Sequence, residues 1–320
     1  MPINADKPHL WKADTTASVD QFNQWFMVFA PKTYRDSRRM TIAKVEEGLR
    51  LTSDLTKINP EIIKSAPGVL PVLRMAMCPP LARDRLIGLS DSTKGFVGCL
   101  EEGKVPPRLS AESIEEHLDK ICGVLSRMID LDIFPWLIER RLPTEEERYR
   151  SSTIVADRLC GAVSEPIVRN AQEKRQLSIL EQYFLSKGYK LKPYPETRPI
   201  TEMEPGTFSF RQNVLVKSSK AGGKAVRIPV DAVIQPMKVV VPHLPLLIEA
   251  KSAGDFTNVN KRRKEEATKV NQLKATYGEQ VVFVLFLCGY FDAAYLGYEA
   301  AEGIDWVWEH RFEDIDLLGI

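Results

Sequence analysis

Apolar residues in the first half of the chain recur at helical spacing, most clearly between Ala111 and about Met128. Ser110 can cap this helix, because its side-chain oxygen can accept a hydrogen bond from a backbone N–H of the first turn. The apolar face consists of Ile114, Leu118, Ile121, Cys122, Leu125 and Met128. This spacing predicts an amphipathic helix with one buried side.

Further helices are predicted near 18–30, 34–50 and 80–101, and prolines such as Pro31 separate them. Proline lacks a backbone N–H and its ring clashes with the preceding turn, so we expect helices to end there. The segment 142–148 is predicted to be a boundary or the start of a linking helix. Residues 1–150 are therefore expected to form a mainly helical N-terminal region.

The pattern changes near residue 165. Ser164 can cap a helix that has Pro166 in its first turn and Gly188 just past its end. Four strand-like runs follow, at 207–217, 225–234, 237–241 and 246–251. A helix at 257–277 and a continuous apolar strand at 281–287 come after them. This order predicts an α/β (α+β) domain over residues 151–320, in which helices flank a mixed sheet.

Composition narrows the function classes only slightly. The 320 residues carry 44 basic and 43 acidic side chains, so bulk charge gives no argument for binding nucleic acid. The chain has no apolar run long enough to span a membrane and no signal-peptide pattern at its start, so we expect a cytoplasmic protein. Its five cysteines form no C-x-x-C pair, which argues against a zinc site.

Charged residues interrupt the apolar pattern at the end of the run 246–251. Glu249 and Lys251 share one face of a strand because alternate residues do, whereas Ala250 points into the packing. The preceding residues are apolar, and charges at the end of a buried strand are costly unless they have a function. Asp231 lies on an earlier strand-like run and can converge with Glu249 if the strands pair as a meander.

Two convergent carboxylates suit a hard cation such as Mg²⁺, which keeps several of its waters. Asp231 and Glu249 are therefore the candidate metal ligands, with the Ala250 carbonyl as another. Lys251 could orient or deprotonate an attacking water, or stabilise charge in the transition state. The alternative is structural, since Glu and Lys two residues apart are common on exposed strands.

A basic run lies near the start of the helix that follows. Cations near a helix start oppose the helix dipole but suit a phosphate backbone. The candidate DNA contacts in and before the run are Asn258, Asn260, Lys261, Arg262, Arg263 and Lys264. The alternative is a solvated helix face, in which Lys261 pairs with Glu265 and Arg262 with Glu266.

Arg83 and Arg85 lie in a stretch with the pattern of a helix–turn–helix. Arginine can contact guanine through two hydrogen bonds in the major groove, which makes both residues candidates for DNA contact. The alternative is a surface salt bridge through Asp84.

Three longer segments resemble the XamI family of type II restriction endonucleases, in the PD-(D/E)XK nuclease superfamily. They are EAKSAGDFTN at 249–258, continuing to 266, CPPLARDRL at 78–86 and GIDWVWEH at 303–310. The resemblance implies a PD-(D/E)XK core and cleavage of duplex DNA at a short palindrome, which for the family's prototype is GTCGAC. It also implies Mg²⁺ as cofactor, with Mn²⁺ able to substitute, and a cognate DNA methyltransferase as functional partner.

In that resemblance Asp231 matches the first metal carboxylate, Glu249 the second, and Lys251 the lysine. The proline of the motif stands one residue further away, at Pro229, and proline is dispensable to the chemistry. Many relatives add an acid from the helix before the sheet, and Glu165 is the candidate here. Its alternative role is that of an acid in a first helical turn.

The two-fold symmetry of a palindrome suits a homodimer. The helical N-terminal region could either form the dimer contact or grip the DNA. Three other functions stay open on the residues alone. They are a repair or junction-resolving nuclease with the same core, a non-catalytic DNA-binding protein, and a helical interaction protein whose charges lie on the surface.

Overall fold

The computed structural model describes residues 2–217, 225–238, 244–257 and 263–320, without the side chains of Glu165, Arg263 and Lys264. The chain forms two compact units, one of Met1–Phe29 with Arg169–Ile320 and one of Ala30–Val168. This division differs from the expected one at residue 150, because the first residues pack against the last strand of the sheet. Two long helices run through the unit boundaries.

The first long helix, α1 (Pro8–Leu51), is continuous, so the expected break at Pro31 is wrong. Met27 and Val28 are 66% and 75% exposed and Pro31 is exposed too. The Met27 carbonyl, which would accept from residue 31, can therefore bond to water instead.

No helix within the described residues is both long and apolar enough to cross a bilayer.

The second long helix, α8 (Glu145–Ser186), begins well before the start that the pattern around Ser164 predicts. The Thr144 hydroxyl accepts from the Glu147 N–H, and the Glu147 carboxylate accepts from the Thr144 N–H. This reciprocal cap starts the helix, as the segment 142–148 indicated. Pro166 lies inside the helix, so the predicted cap at Ser164 is wrong. The predicted end is confirmed, since Gly188 follows with a φ of +88°.

The unit Ala30–Val168 is helical around one apolar core. Besides its parts of α1 and α8 it contains α2 (Pro60–Ser65), α3 (Leu70–Met75), α4 (Arg83–Ser90), α5 (Lys94–Glu101), α6 (Ala111–Met128) and α7 (Trp136–Glu139). The α6 bounds match the predicted helix, and the Ser110 hydroxyl accepts from Ser113 N–H at 3.2 Å. A mainly helical N-terminal region is thus confirmed.

The described residues of the other unit form a six-stranded mixed sheet whose strands follow chain order. They are β1 (Lys190–Leu191), β2 (Thr207–Val216), β3 (Val226–Gln235), β4 (Leu246–Ala253), β5 (Val282–Gly289) and β6 (Asp305–Trp308). The pairs β2–β3 and β3–β4 are antiparallel, and the pairs β1–β2, β4–β5 and β5–β6 are parallel. Of the strand predicted at 237–241, residues 237–238 form a bend and the rest lie outside the described residues.

Helices cover both faces of this sheet, as predicted. Val270 and Leu273 of α9 (Arg263–Tyr277) pack with Leu247 and Leu285 on one face. Leu177 and Leu180 of α8 share a second core with Ile248 and Phe286 on the other face. A short helix, α10 (Ala293–Ala301), connects β5 to β6.

The start of the chain is tied to the last strand. The Asp305 carboxylate accepts from the backbone N–H groups of Ile3, Asn4 and Ala5. The Asn4 side chain is 1% exposed and donates to the Trp306 carbonyl at 2.9 Å. These bonds explain why the first residues belong to the unit that contains the sheet.

Candidate active site

The site begins where β3 and β4 separate. Their pairing ends at Ala232 and Ile248, so the next backbone groups of the two strands have no partner across the ladder. The Asp231 carboxylate fills that gap by accepting a hydrogen bond from the Ala250 N–H at 2.8 Å. The strand divergence thus directs the Asp231 carboxylate toward the middle of β4.

Glu249 and Lys251 share the face of β4 that is covered by α9. The Lys251 Nζ lies 3.2 Å from Glu249 Oε1. Glu249 is only 8% exposed, and the Lys251 side chain is 17% exposed. Ala250 points to the opposite face, where it packs with the α8 core. The structure therefore brings Asp231, Glu249 and Lys251 together, with their charges largely removed from water.

Helix α9 adds two side chains that the sequence analysis did not place here. Glu266 Oε1 lies 2.7 Å from Lys251 Nζ, and Lys269 Nζ lies 2.8 Å from Glu249 Oε2. Lys269 also donates to the Pro229 carbonyl at 2.8 Å. Glu266 is 2% exposed, so its expected role on a solvated helix face is wrong.

A periodicity in the sequence could have identified Glu266. It stands four and seven residues before Val270 and Leu273, which are buried. It therefore belongs to the apolar stripe of α9 rather than to the polar face. A carboxylate in such a stripe needs a buried cation as partner, and Lys251 supplies one.

The pKa values of the site follow from burial and neighbouring charge. Burial and the nearby Glu249 carboxylate raise the pKa of Asp231 to about 6, against the lowering effect of the Ala250 N–H. Burial acts to lower the pKa of Lys251, but the carboxylates of Glu249 and Glu266 outweigh it, so that this pKa is raised. Lys251 is therefore held as a cation at neutral pH.

The donor set fits a small hard cation. Asp231 and Glu249 are buried carboxylates that repel each other, and a divalent ion between them would relieve that repulsion. The Ala250 N–H faces β3, and since the N–H and C=O of a strand residue point to the same edge, its carbonyl faces there too. Within the described residues no three His, Cys, Asp or Glu side chains form a metal-binding group, so protein ligands would be few.

A buried amide fixes the other side of the same strand. Gln176 of α8 is 1% exposed, and its Nε2 donates to the carbonyls of Phe286 at 3.1 Å and Lys251 at 3.4 Å. Its Oε1 accepts from the Ser252 hydroxyl at 2.8 Å. The end of β4 is therefore held from both faces of the sheet. No local pattern in the sequence indicates this role, because it depends on the packing of α8 over the sheet.

The structure describes the remaining candidates only in part. Asn258, Asn260, Lys261 and Arg262 lie outside the described residues, and the backbones of Arg263 and Lys264 begin α9. Glu165 lies in the middle of α8, so it is not an acid in a first helical turn.

Arg83 and Arg85 belong to the helical unit. They are exposed on α4, and the left-handed Asp91, with a φ of +49°, turns the chain toward α5. Thr93 caps α5 by accepting from Phe96 N–H, which completes two helices joined by a short turn. The Arg83 Nε lies 3.9 Å from Asp84 Oδ1, a separation at which an exposed ion pair contributes little. Both arginines can therefore still contact DNA.

Comparisons with known proteins identify the family of the chain. A family model described as XamI restriction endonuclease matches residues 53–308, which include the whole of the candidate site. The type II restriction enzyme SalI of Streptomyces albus G is 53% identical over 317 residues, which cover 99% of each of the two chains. No solved structure matches the chain. The chain thus belongs to the XamI restriction endonuclease family and is a type II restriction endonuclease.

Proposed function

We propose that the enzyme cuts both strands of duplex DNA at a short palindromic site in a Mg²⁺-dependent reaction, with Asp231, Glu249 and Lys251 as its catalytic residues. One observation carries the proposal. Two buried carboxylates converge beside a lysine that is held as a cation, at the point where β3 and β4 separate. Such a set is costly to bury and has the donor chemistry that phosphodiester hydrolysis requires.

Asp231 and Glu249, with the Ala250 carbonyl, would hold the metal ion. A bound divalent ion supplies an activated water and neutralises charge on the scissile phosphate. Lys251 carries a proton that Glu249 and Glu266 stabilise, which favours a donor role over that of a general base. It would orient the attacking water or stabilise negative charge on the phosphate.

The catalytic assignment is tested by Asp231→Ala, Glu249→Ala and Lys251→Ala, assayed on plasmid DNA with Mg²⁺. Each variant should lose cleavage while retaining the wild-type circular dichroism spectrum. Glu265→Ala is the matched control, because Glu265 is an exposed acid on α9 beside the site. Substantial cutting by a folded variant would remove that residue from the catalytic set.

The target and the assembly are part of the same proposal. GTCGAC is the first candidate sequence, and a homodimer would match its two-fold symmetry. A methyltransferase that modifies the same sequence would protect the host DNA, and we place the enzyme in the cytoplasm with that DNA. Digesting a plasmid of known sequence and mapping the ends tests the target, and cutting only at other sequences would reject GTCGAC.

A further inference from the structure

Glu266 has no place in the catalytic set above, yet it is among the most buried charged groups of the described residues. It is 2% exposed, and its Oε1 lies 2.7 Å from Lys251 Nζ. A carboxylate removed from water in this way is strongly destabilising unless it is paired. Its partner is the candidate catalytic lysine, so its function is to be sought there.

Charges alternate along this side of the site. Glu266 contacts Lys251, Lys251 contacts Glu249, and Glu249 contacts Lys269. Glu249 is therefore shared between two cations, with Lys251 Nζ at 3.2 Å from Oε1 and Lys269 Nζ at 2.8 Å from Oε2. The shorter contact of Lys251 is the one to Glu266. Of its two anchors, Glu266 is the closer.

Glu249 alone is a poor anchor for Lys251 during the reaction. If Glu249 held the metal, its negative charge would be shared with a dication, and less of it would be left to attract the Lys251 ammonium. Lys251 would then lose the attraction that holds it and could turn toward solvent or toward the phosphate in an unproductive geometry. Glu266 carries a second negative charge in contact with Lys251 and is not one of the proposed metal ligands.

We propose that Glu266 is a positioning residue, which keeps the Lys251 side chain directed into the site while Glu249 is engaged by the metal. The proposal rests on the assignment of Lys251 as a catalytic residue. It predicts that Glu266 contributes to the rate of bond cleavage and not to the affinity for DNA.

The test compares Glu266→Gln with Glu265→Gln, which removes the same charge from an exposed position on α9. Single-turnover cleavage with Mg²⁺ is measured on a DNA fragment that the wild-type enzyme cuts, and affinity for the same fragment is measured in Ca²⁺. Glu266→Gln should cleave about 10- to 100-fold more slowly, as for other residues that orient a catalytic group. Its DNA affinity should match that of the wild type, and Glu265→Gln should behave as wild type throughout.

Glu266→Asp keeps the charge on a side chain one methylene shorter, so its rate should fall between those of Glu266→Gln and the wild type. If Glu266→Gln does not fold, the cleavage rate and the DNA affinity of Glu266→Asp test the proposal in its place. A wild-type cleavage rate would overturn the proposal. So would a loss of rate accompanied by an equal loss of DNA affinity, since Glu266 would then act through the fold.

Lys251→Ala, assayed beside these variants, distinguishes a failure of the catalytic role of Lys251 from a failure of the positioning role of Glu266. If Lys251→Ala cuts normally, the catalytic assignment of Lys251 fails and Glu266 loses its function with it. If Lys251→Ala is inactive while Glu266→Gln cuts normally, only the positioning role of Glu266 is wrong.

Discussion

Asp231, a candidate metal ligand, occupies a position that is costly to the fold. Its carboxylate is buried beside Glu249, and both effects favour the protonated form. The residue was identifiable from the sequence because it stands on a strand-like run before Glu249 and Lys251. The apolar stripe of α9 marks Glu266 as buried, but no sequence pattern pairs it with Lys251 or pairs Lys269 with Glu249, because these residues become neighbours only when α9 packs over the sheet.

Asp231→Asn should stabilise the metal-free enzyme while abolishing cleavage. An acid whose pKa is raised to about 6 in the fold destabilises it above that pH, and the penalty disappears as the pH falls below the ordinary value. Asparagine keeps an acceptor for the Ala250 N–H but carries no charge. At pH 8 in EDTA, thermal unfolding should show a gain of about 1–3 kcal/mol, from a shift of roughly two pKa units at 1.36 kcal/mol each.

The gain in stability should shrink at pH 4, because Asp231 is then protonated in the folded wild-type enzyme and is as uncharged as asparagine. An equal or lower stability of Asp231→Asn at pH 8 would show that the site does not strain the fold.

At the scale of elements, local patterns predicted helices and strands well where packing and capping agree. Helix α6 follows from apolar periodicity and strand β5 from a continuous apolar run, and the end of α8 follows from Gly188, which has a φ of +88°. The same rules failed at Pro31 and Pro166. Each proline is exposed within a long helix, and solvent can satisfy the carbonyl that loses its backbone donor.

The ends of β4 and β5 are held in close approach by a glycine. A Cβ on Gly289 would lie 2.1 Å from the Ala253 carbonyl oxygen, at a φ of +103°. Gly278 has a similar φ of +96°, but a Cβ there would meet nothing within 4 Å. A substitution at Gly278 therefore measures the backbone strain alone, without the steric clash expected at Gly289. Gly278→Ala should cost about 1–2 kcal/mol.

Gly289→Ala should cost about 1–3 kcal/mol more, because the backbone of β4 must shift. Ala253, which would have to move, is two residues from Lys251, so cleavage should also slow. Chemical denaturation of both variants measures the difference, and equal losses of stability would show that the close approach to Ala253 is unimportant.

At the scale of the whole molecule, the sequence indicated a helical N-terminal part and a C-terminal part with the sheet, but not where the compact units divide. That division depends on contacts between distant parts of the chain, such as the bonds from the Asp305 carboxylate to Asn4 and Ala5. No local pattern reveals such contacts. With a net charge of +1, the affinity for DNA must come from local surfaces rather than from the whole.

The basic run at 261–264 is the first candidate for such DNA contacts. Replacing Lys261, Arg262 and Arg263 by alanine should weaken DNA binding. It should also flatten the dependence of log affinity on log salt by about 0.9 for each phosphate that the variant no longer neutralises. Binding measured in Ca²⁺ over a range of salt concentrations gives both quantities. An unchanged slope would assign the run to solvated surface.

The metal dependence of the site at Asp231 and Glu249 is the central claim, and one paired assay tests it most directly. DNA binding and cleavage are measured side by side in EDTA, in Ca²⁺ and in Mg²⁺, with Mn²⁺ as a further cleaving ion. In EDTA the two bare carboxylates should repel the phosphate, so specific binding is weak and cleavage absent. Ca²⁺ should restore binding without cleavage because its coordination is looser, and Mg²⁺ should restore both. Efficient cutting in EDTA would contradict the metal mechanism, and with it the assignment of Asp231 and Glu249.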